Sequence, residues 1–181
     1  MDLTAGFGVA AVGHANPTVV AALQEQSKSL LHAMGDAFPD ITRIQLLEEL
    51  HALTGYDRAI LGCSGSDSIE AAIKTARIAT GRDRILAFSD AYHGLAFGSL
   101  SSTAYKAEAF RAPFQGQLGQ HVQHAEFNGE LPENLSEFAA IIVEPIQGRG
   151  GIRVPSKDWL AKLIRHAHRQ NVLVIFDEIY T

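Results

Sequence analysis

The run Val172-Leu173-Val174-Ile175-Phe176 is apolar at every position. Successive side chains on a strand point to opposite faces, so such a strand carries apolar surface on both sides and belongs in a sheet covered on both faces. Ala139 to Val143 has the same character, and Arg84 to Phe88 and Arg58 to Leu61 read as further strands. Helical spacing fills the intervals. A helix is predicted from Pro17, with Asn16 as its cap, Val20, Leu23, Ser27, Leu30, Leu31 and Met34 near one face, and Gly35 as terminator. A second follows Asp40, carries Ile41, Ile44, Leu47 and Leu50, and stops near Gly55. A third runs from about Asp67 to Thr80 on Ile69, Ala72, Ile73 and Ala76, closed by Gly81, with Asp67 and Glu70 at capping-box spacing. Ser156 caps a fourth bearing Trp159, Leu160, Leu163, Ile164 and Ala167. Strands alternating with helices predict an α/β fold, a mostly parallel sheet with flanking helices. Ser99 to Pro132 reads as long loops with few elements.

Composition narrows the function classes without choosing among them. The 181 residues are 46% hydrophobic and 19% charged, ordinary for a globular chain. A formal net charge of -5 and a pI near 5.9 argue against a nucleic-acid or membrane-surface partner. No apolar stretch is long enough to cross a bilayer as a helix. Cys63 is the sole cysteine, so an internal disulfide is impossible and a cytoplasmic home is the default expectation. The chain opens without a leading element and stops just after an apolar strand, so a fragment truncated at both ends is expected.

Ligands of parallel sheets gather at the carboxyl ends of the strands, so the residues after each apolar run carry the functional information. Cys63-Ser64-Gly65-Ser66 combines small residues with a helix N-terminus and its unpaired N–H groups. It suits a phosphate, and equally an ordinary capped turn. In Asp90-Ala91-Tyr92-His93-Gly94 an aromatic stands near a glycine and suits a planar ring, although Tyr92 and His93 also fit as core residues. Glu144-Pro145-Ile146-Gln147-Gly148 and Asp177-Glu178 put acids at the tips of apolar strands. Burying them is costly without a cationic or proton-donating partner, either a nearby basic side chain or a protonated pyridine nitrogen. His121 with His124, and His166 with His168, lack a third ligand at a characteristic spacing and read as loop or helix histidines, not a metal site.

Taken together and in order, Ala5-Gly6-Phe7-Gly8-Val9, Gly13-His14-Ala15-Asn16-Pro17, Ser64-Gly65-Ser66, Tyr92-His93-Gly94, Glu144-Pro145-Ile146-Gln147-Gly148 and Asp177-Glu178-Ile179 resemble class III aminotransferases. The resemblance implies the large domain of a type I pyridoxal 5'-phosphate (PLP) transferase, present in part. Residues 1–35 would be an N-terminal segment with the first helix, and 36–181 the N-terminal part of the PLP-binding domain. It implies that Gly65 and Ser66 hold the cofactor phosphate, and that Tyr92 stacks on one face of the pyridine ring and Ile179 presses on the other. Asp177 would bind the ring nitrogen, with His93 and Glu144 supporting the cofactor site, and Phe7 would line the substrate pocket. Amino transfer from an amino acid or ω-amine donor to a 2-oxo acid, in a homodimer, is the implied activity.

Three positions depart from the family pattern. Arg149 stands where many relatives carry a glutamate that gates a substrate-binding arginine, and is a candidate for a substrate carboxylate. Tyr180 replaces a common glutamine, and Leu95 an arginine. The Schiff-base lysine is expected after the Asp-Glu motif, beyond Thr181, since Lys28, Lys74, Lys106, Lys157 and Lys162 lie elsewhere. The chain alone is therefore expected to be inactive. A different PLP chemistry on the same scaffold (aminomutase, racemase or decarboxylase-like) and a non-catalytic interaction module are the alternatives.

Overall fold

The computed structural model describes residues 1–35 and 37–181, in two compact units, Met1–Ala59 and Ile60–Thr181. The first unit holds α1 (Pro17–Gln26) and α2 (Ile41–Thr54). Asn16 caps α1 by accepting from the N–H groups of Thr18 and Val19, and Pro17 sits at the first helical position, where its missing donor costs nothing. The expected continuation of α1 to Gly35 does not form. From Ser27 onward side chains compete for the backbone: the hydroxyls of Ser27 and Ser29 donate to the carbonyls of Gln24 and Gln26, and the Gln26 amide donates to that of Leu30. Asp40 caps α2, and Gly55 closes it in the left-handed region at φ 72°. Among the described residues of this unit none is buried, and Leu23, Leu31 and Leu53 are well exposed.

The second unit is built on a four-stranded sheet of β1 (Arg84–Phe88), β2 (Val122–Ala125), β3 (Phe138–Val143) and β4 (Leu173–Phe176), in the order β2-β1-β3-β4 with every pair parallel. On one face α6 (Lys157–Arg169) lays Trp159, Leu163 and Ala167 against Leu86, Phe88, Ile141 and Val143. On the other, α3 (Gly65–Thr80) lays Ile69, Ile73 and Ala76 against Ile85, Ala87, Ala140 and Ile142. Adjacent residues of β1 thus serve opposite layers, the two-sided burial that an apolar run implies. Phe88, Phe127 and Trp159 meet edge to face at 5.1–6.2 Å, and the Trp159 indole donates to the Gly129 carbonyl at 2.7 Å. At the amino ends of the strands, one nitrogen of the Arg82 guanidinium donates to the carbonyls of both Phe138 and Asn171 at 3.0 Å.

Several expectations need correction. Arg58 to Leu61 is not a strand: it pairs with no strand among the described residues, and Ile60 is 74% exposed. β4 is an edge strand. Its centre is covered on both faces, by Val174 in one layer and Ile175 in the other, but Leu173 and Phe176 at its ends are exposed. The cap of α3 is Ser64, not Asp67: the Ser64 hydroxyl accepts from the Asp67 N–H, while the Asp67 carboxylate reaches back to the Cys63 N–H. Between Ser99 and Pro132 the chain is more structured than expected, with the end of α4 (Phe97–Ser102), α5 (Ala107–Phe110), a short 3₁₀ turn and β2. No helix among the described residues is long and apolar enough to cross a membrane.

Leu163 is fully buried beneath the sheet, while its neighbour Lys162 is exposed. Leu163→Ala is expected to cost about 2–5 kcal/mol in urea unfolding, and Lys162→Ala to stay within about 0.5 kcal/mol. Equal effects would mean that this layer is not the core.

Candidate active site

All four strands point the same way, so their carboxyl ends and the N-terminus of α3 meet at one edge of the sheet. A cavity of about 210 Å³ opens there, lined by α3 residues Ser64, Gly65 and Ser66, by Tyr92, His93 and Gly94 after β1, by Arg149 after β3, and by Asp177, Ile179 and Tyr180 after β4. Of the residues anticipated from sequence, Gly65, Ser66, Tyr92, His93, Arg149, Asp177 and Ile179 therefore come together. Glu144 lies directly behind them. Phe7 belongs to the first unit, where it is largely exposed in a turn at φ 59°.

Each wall has a definite cause. The first turn of α3 presents the N–H groups of Gly65 and Ser66, which have no acceptor among the described residues, at the positive end of the helix dipole. A Cβ on Gly94 (φ 115°) would run into Ser66, its Cα included, whereas one on Gly65 would meet only the side chain of the exposed Ile179. The Ser66 hydroxyl in turn accepts from the Leu95 N–H at 3.0 Å.

Tyr92 is fixed through both its backbone and its ring. Its N–H donates to Glu144 Oε2 at 3.1 Å, while Oε1 of the same carboxylate accepts from the Gly148 N–H at 3.3 Å. Glu144 is 4% exposed, and burial pushes its carboxyl above the ordinary range against the pull of those two donors and of His93. The Tyr92 ring stands edge to face with Tyr105 at 6.3 Å and Phe110 at 6.4 Å. Both supports come from the stretch whose sequence reads as loop. Their only signal there is aromatic content.

On the floor, Asp177 Oδ2 meets His93 Nδ1 at 2.7 Å, with both side chains almost completely buried, and Oδ1 accepts from the Ile179 N–H at 3.3 Å. The His93 N–H is itself held by the Thr103 hydroxyl, which donates onward to carbonyl oxygens around it. His93 Nε2 is buried without a partner among the described residues. Both residues line the cavity, joined to each other by this short contact.

The whole chain, residues 1–181, matches the aminotransferase class-III family and belongs to it. It is 35% identical over 184 residues to the acetylornithine aminotransferase of Methanosarcina acetivorans, covering 100% of this chain and 46% of that protein. It is 37% identical over 185 residues to the [LysW]-aminoadipate semialdehyde/glutamate semialdehyde transaminase of Sulfurisphaera tokodaii, covering 100% of this chain and 47% of that one. Among solved structures, the ornithine aminotransferase of Toxoplasma gondii superposes with a TM-score of 0.86 at 27% identity, over 99% of this chain and 44% of its own. An amine transaminase from an uncultivated Pseudomonas species, in its PLP-bound form, gives 0.78 at 26% identity, over 92% and 45%. The chain spans about half the length of the curated relatives it matches.

Next to this site, His124 on β2 is half-buried and bonds the Ser102 carbonyl at 3.3 Å; burial, then the charge of Arg111, lowers its pKa to about 4 from an ordinary 6.5. Its position on a strand corrects the loop-or-helix expectation. With the folded value depressed, the unfolded chain binds more protons between those limits, so stability is full above about pH 6.5 and falls as pH drops towards 4. His124→Gln keeps a donor for Ser102 and is expected to be less sensitive than the parent over that window in thermal melts. Parallel pH profiles would show that His124 is not desolvated.

Proposed function

We propose that the protein carrying this chain is a PLP-dependent aminotransferase, moving an amino group from an amino acid or ω-amine donor to a 2-oxo acid. One observation supports this above the others, in a chain of the class III family: an anion seat, an aromatic ring and an acid held by a buried histidine surround a single cavity. The residues fit the cofactor. N–H groups at the positive end of α3 with no acceptor among the described residues suit a doubly charged phosphate, and the missing Cβ at Gly65 and Gly94 lets backbone approach closely. When bound, PLP acts as the electron sink for bonds at the substrate's α-carbon.

The chain's own residues act by binding and orientation. Gly65 and Ser66 would hold the phosphate, and Tyr92 and Ile179 the pyridine ring. The Asp177 carboxylate would accept a hydrogen bond from the protonated ring nitrogen, with His93 orienting that carboxylate. Glu144 acts one step back, by fixing the backbone of Tyr92. Among the cavity's lining residues there is no lysine. We place the lysine that bears the cofactor in the part of the relatives' length that this chain does not span. By analogy with the family we extend the reading to a homodimer, with Phe7 assigned to its substrate pocket. The single cysteine favours a cytoplasmic setting.

Titrating the full-length protein with PLP and following its visible absorbance tests the reading. The parent is expected to bind PLP and to transfer amino groups to a 2-oxo acid. Asp177→Ala removes a charge-assisted hydrogen bond and is expected to weaken binding about 10–100-fold. His93→Ala is expected to weaken it less, while lowering turnover. A parent that binds no PLP would end the proposal.

A further inference from the structure

Arg149 lines the cavity on a well-defined support. It sits at the tip of a short hairpin whose base is closed by an antiparallel bridge between Gln147 and Arg153, with N–H···O bonds of 3.0 Å in both directions. The base is anchored to the segment that follows β1. The buried Gln147 amide donates to the Ser89 carbonyl at 2.7 Å, and Arg153 pairs with Asp90 at 2.6 Å. Gly150 lies so close to this segment that a Cβ there would come within 2.9 Å of the Asp90 carbonyl oxygen. The backbone at the tip is thus held in place, and the side chain it carries is long and exposed.

That side chain enters the cavity with its guanidinium carbon 4.2 Å from the centroid of the Tyr92 ring. A guanidinium stacks through its face but receives a carboxylate along its edge, where its donors lie in the plane. The anion seat at α3 lies on a different wall of the cavity.

We propose that Arg149, carried into the cavity by the anchored hairpin, binds a carboxylate of the substrate. The inference rests on the aminotransferase reading for what enters the cavity. It makes the preferred substrates carboxylate-bearing acids and not simple amines. It also assigns the hairpin Gln147–Arg153 a purpose, as the support of a specificity-determining residue.

Glutarate, a dicarboxylate with neither an amino nor an oxo group, serves as the probe. It is titrated by calorimetry into the full-length protein, with and without PLP, for the parent, Arg149→Gln and Arg149→Lys. Arg149→Gln is expected to weaken glutarate about 10–100-fold, the loss of a charge-assisted pair, with Arg149→Lys intermediate because it keeps the charge but not the fork. PLP affinity, read separately from absorbance, is expected to be no weaker in either variant. Equal glutarate affinity in parent and Arg149→Gln, or no glutarate binding by the parent, overturns the proposal. So does a matching loss of PLP affinity, which would make Arg149 a cofactor ligand. A parent that binds glutarate through Arg149 but neither binds PLP nor transfers amino groups would sustain this inference and end the aminotransferase reading.

Discussion

β3 is buried at all six positions and hydrogen-bonded on both sides, to β1 and to β4, in parallel register. Such a strand has no room for polar side chains along its length, because both faces are packed and both edges are paired. Polar function is therefore driven to the strand ends, and parallel pairing puts every carboxyl end on the same side. Glu144 directly follows β3, Asp177 directly follows β4, and the Tyr92-His93-Gly94 segment leaves β1. The cavity is a consequence of that geometry before any question of what fills it.

Within the cavity the side chains facing inward are few, and most are steadied by a partner behind them. His93 holds Asp177, Glu144 holds the backbone at Tyr92, and Tyr105 and Phe110 brace its ring. Much of this support is buried, where a hydrogen bond is stronger and an unsatisfied group more costly than in water. The raised pKa of Glu144 shows the expense of the arrangement, because two backbone donors do not fully offset its desolvation.

The sequence is clearest where one physical signal dominates. Apolar runs identify β1, β3 and β4, capping residues locate α2 and α6 closely, and the small residues around Ser64 mark the seat at α3. It is weakest where tertiary pairing decides. Val122 to Ala125 becomes a strand because β1 offers it an open edge, and nothing in Val-Gln-His-Ala announces that. Arg58 to Leu61 has strand-like residues but no strand beside it. The residues of the candidate site stand in the sequence as an ordered set of motifs, yet the links joining them, His93 to Asp177 across 84 positions and Tyr92 to Glu144 across 52, are long-range and have no local trace.

Arg82 stands at the opposite end of the sheet from all of this chemistry. By fastening the start of β3 and the turn before β4 with a single guanidinium, it gathers the amino ends of the strands into a clamp. The sheet is thereby polarised into an end that is tied and an end that is open to revision. Arg149 and Tyr180 line the cavity at the far end of the strands from this clamp, so a change of side chain there leaves the fastening of the amino ends untouched. The wall of the cavity is then mechanically separate from the tie that sets the sheet.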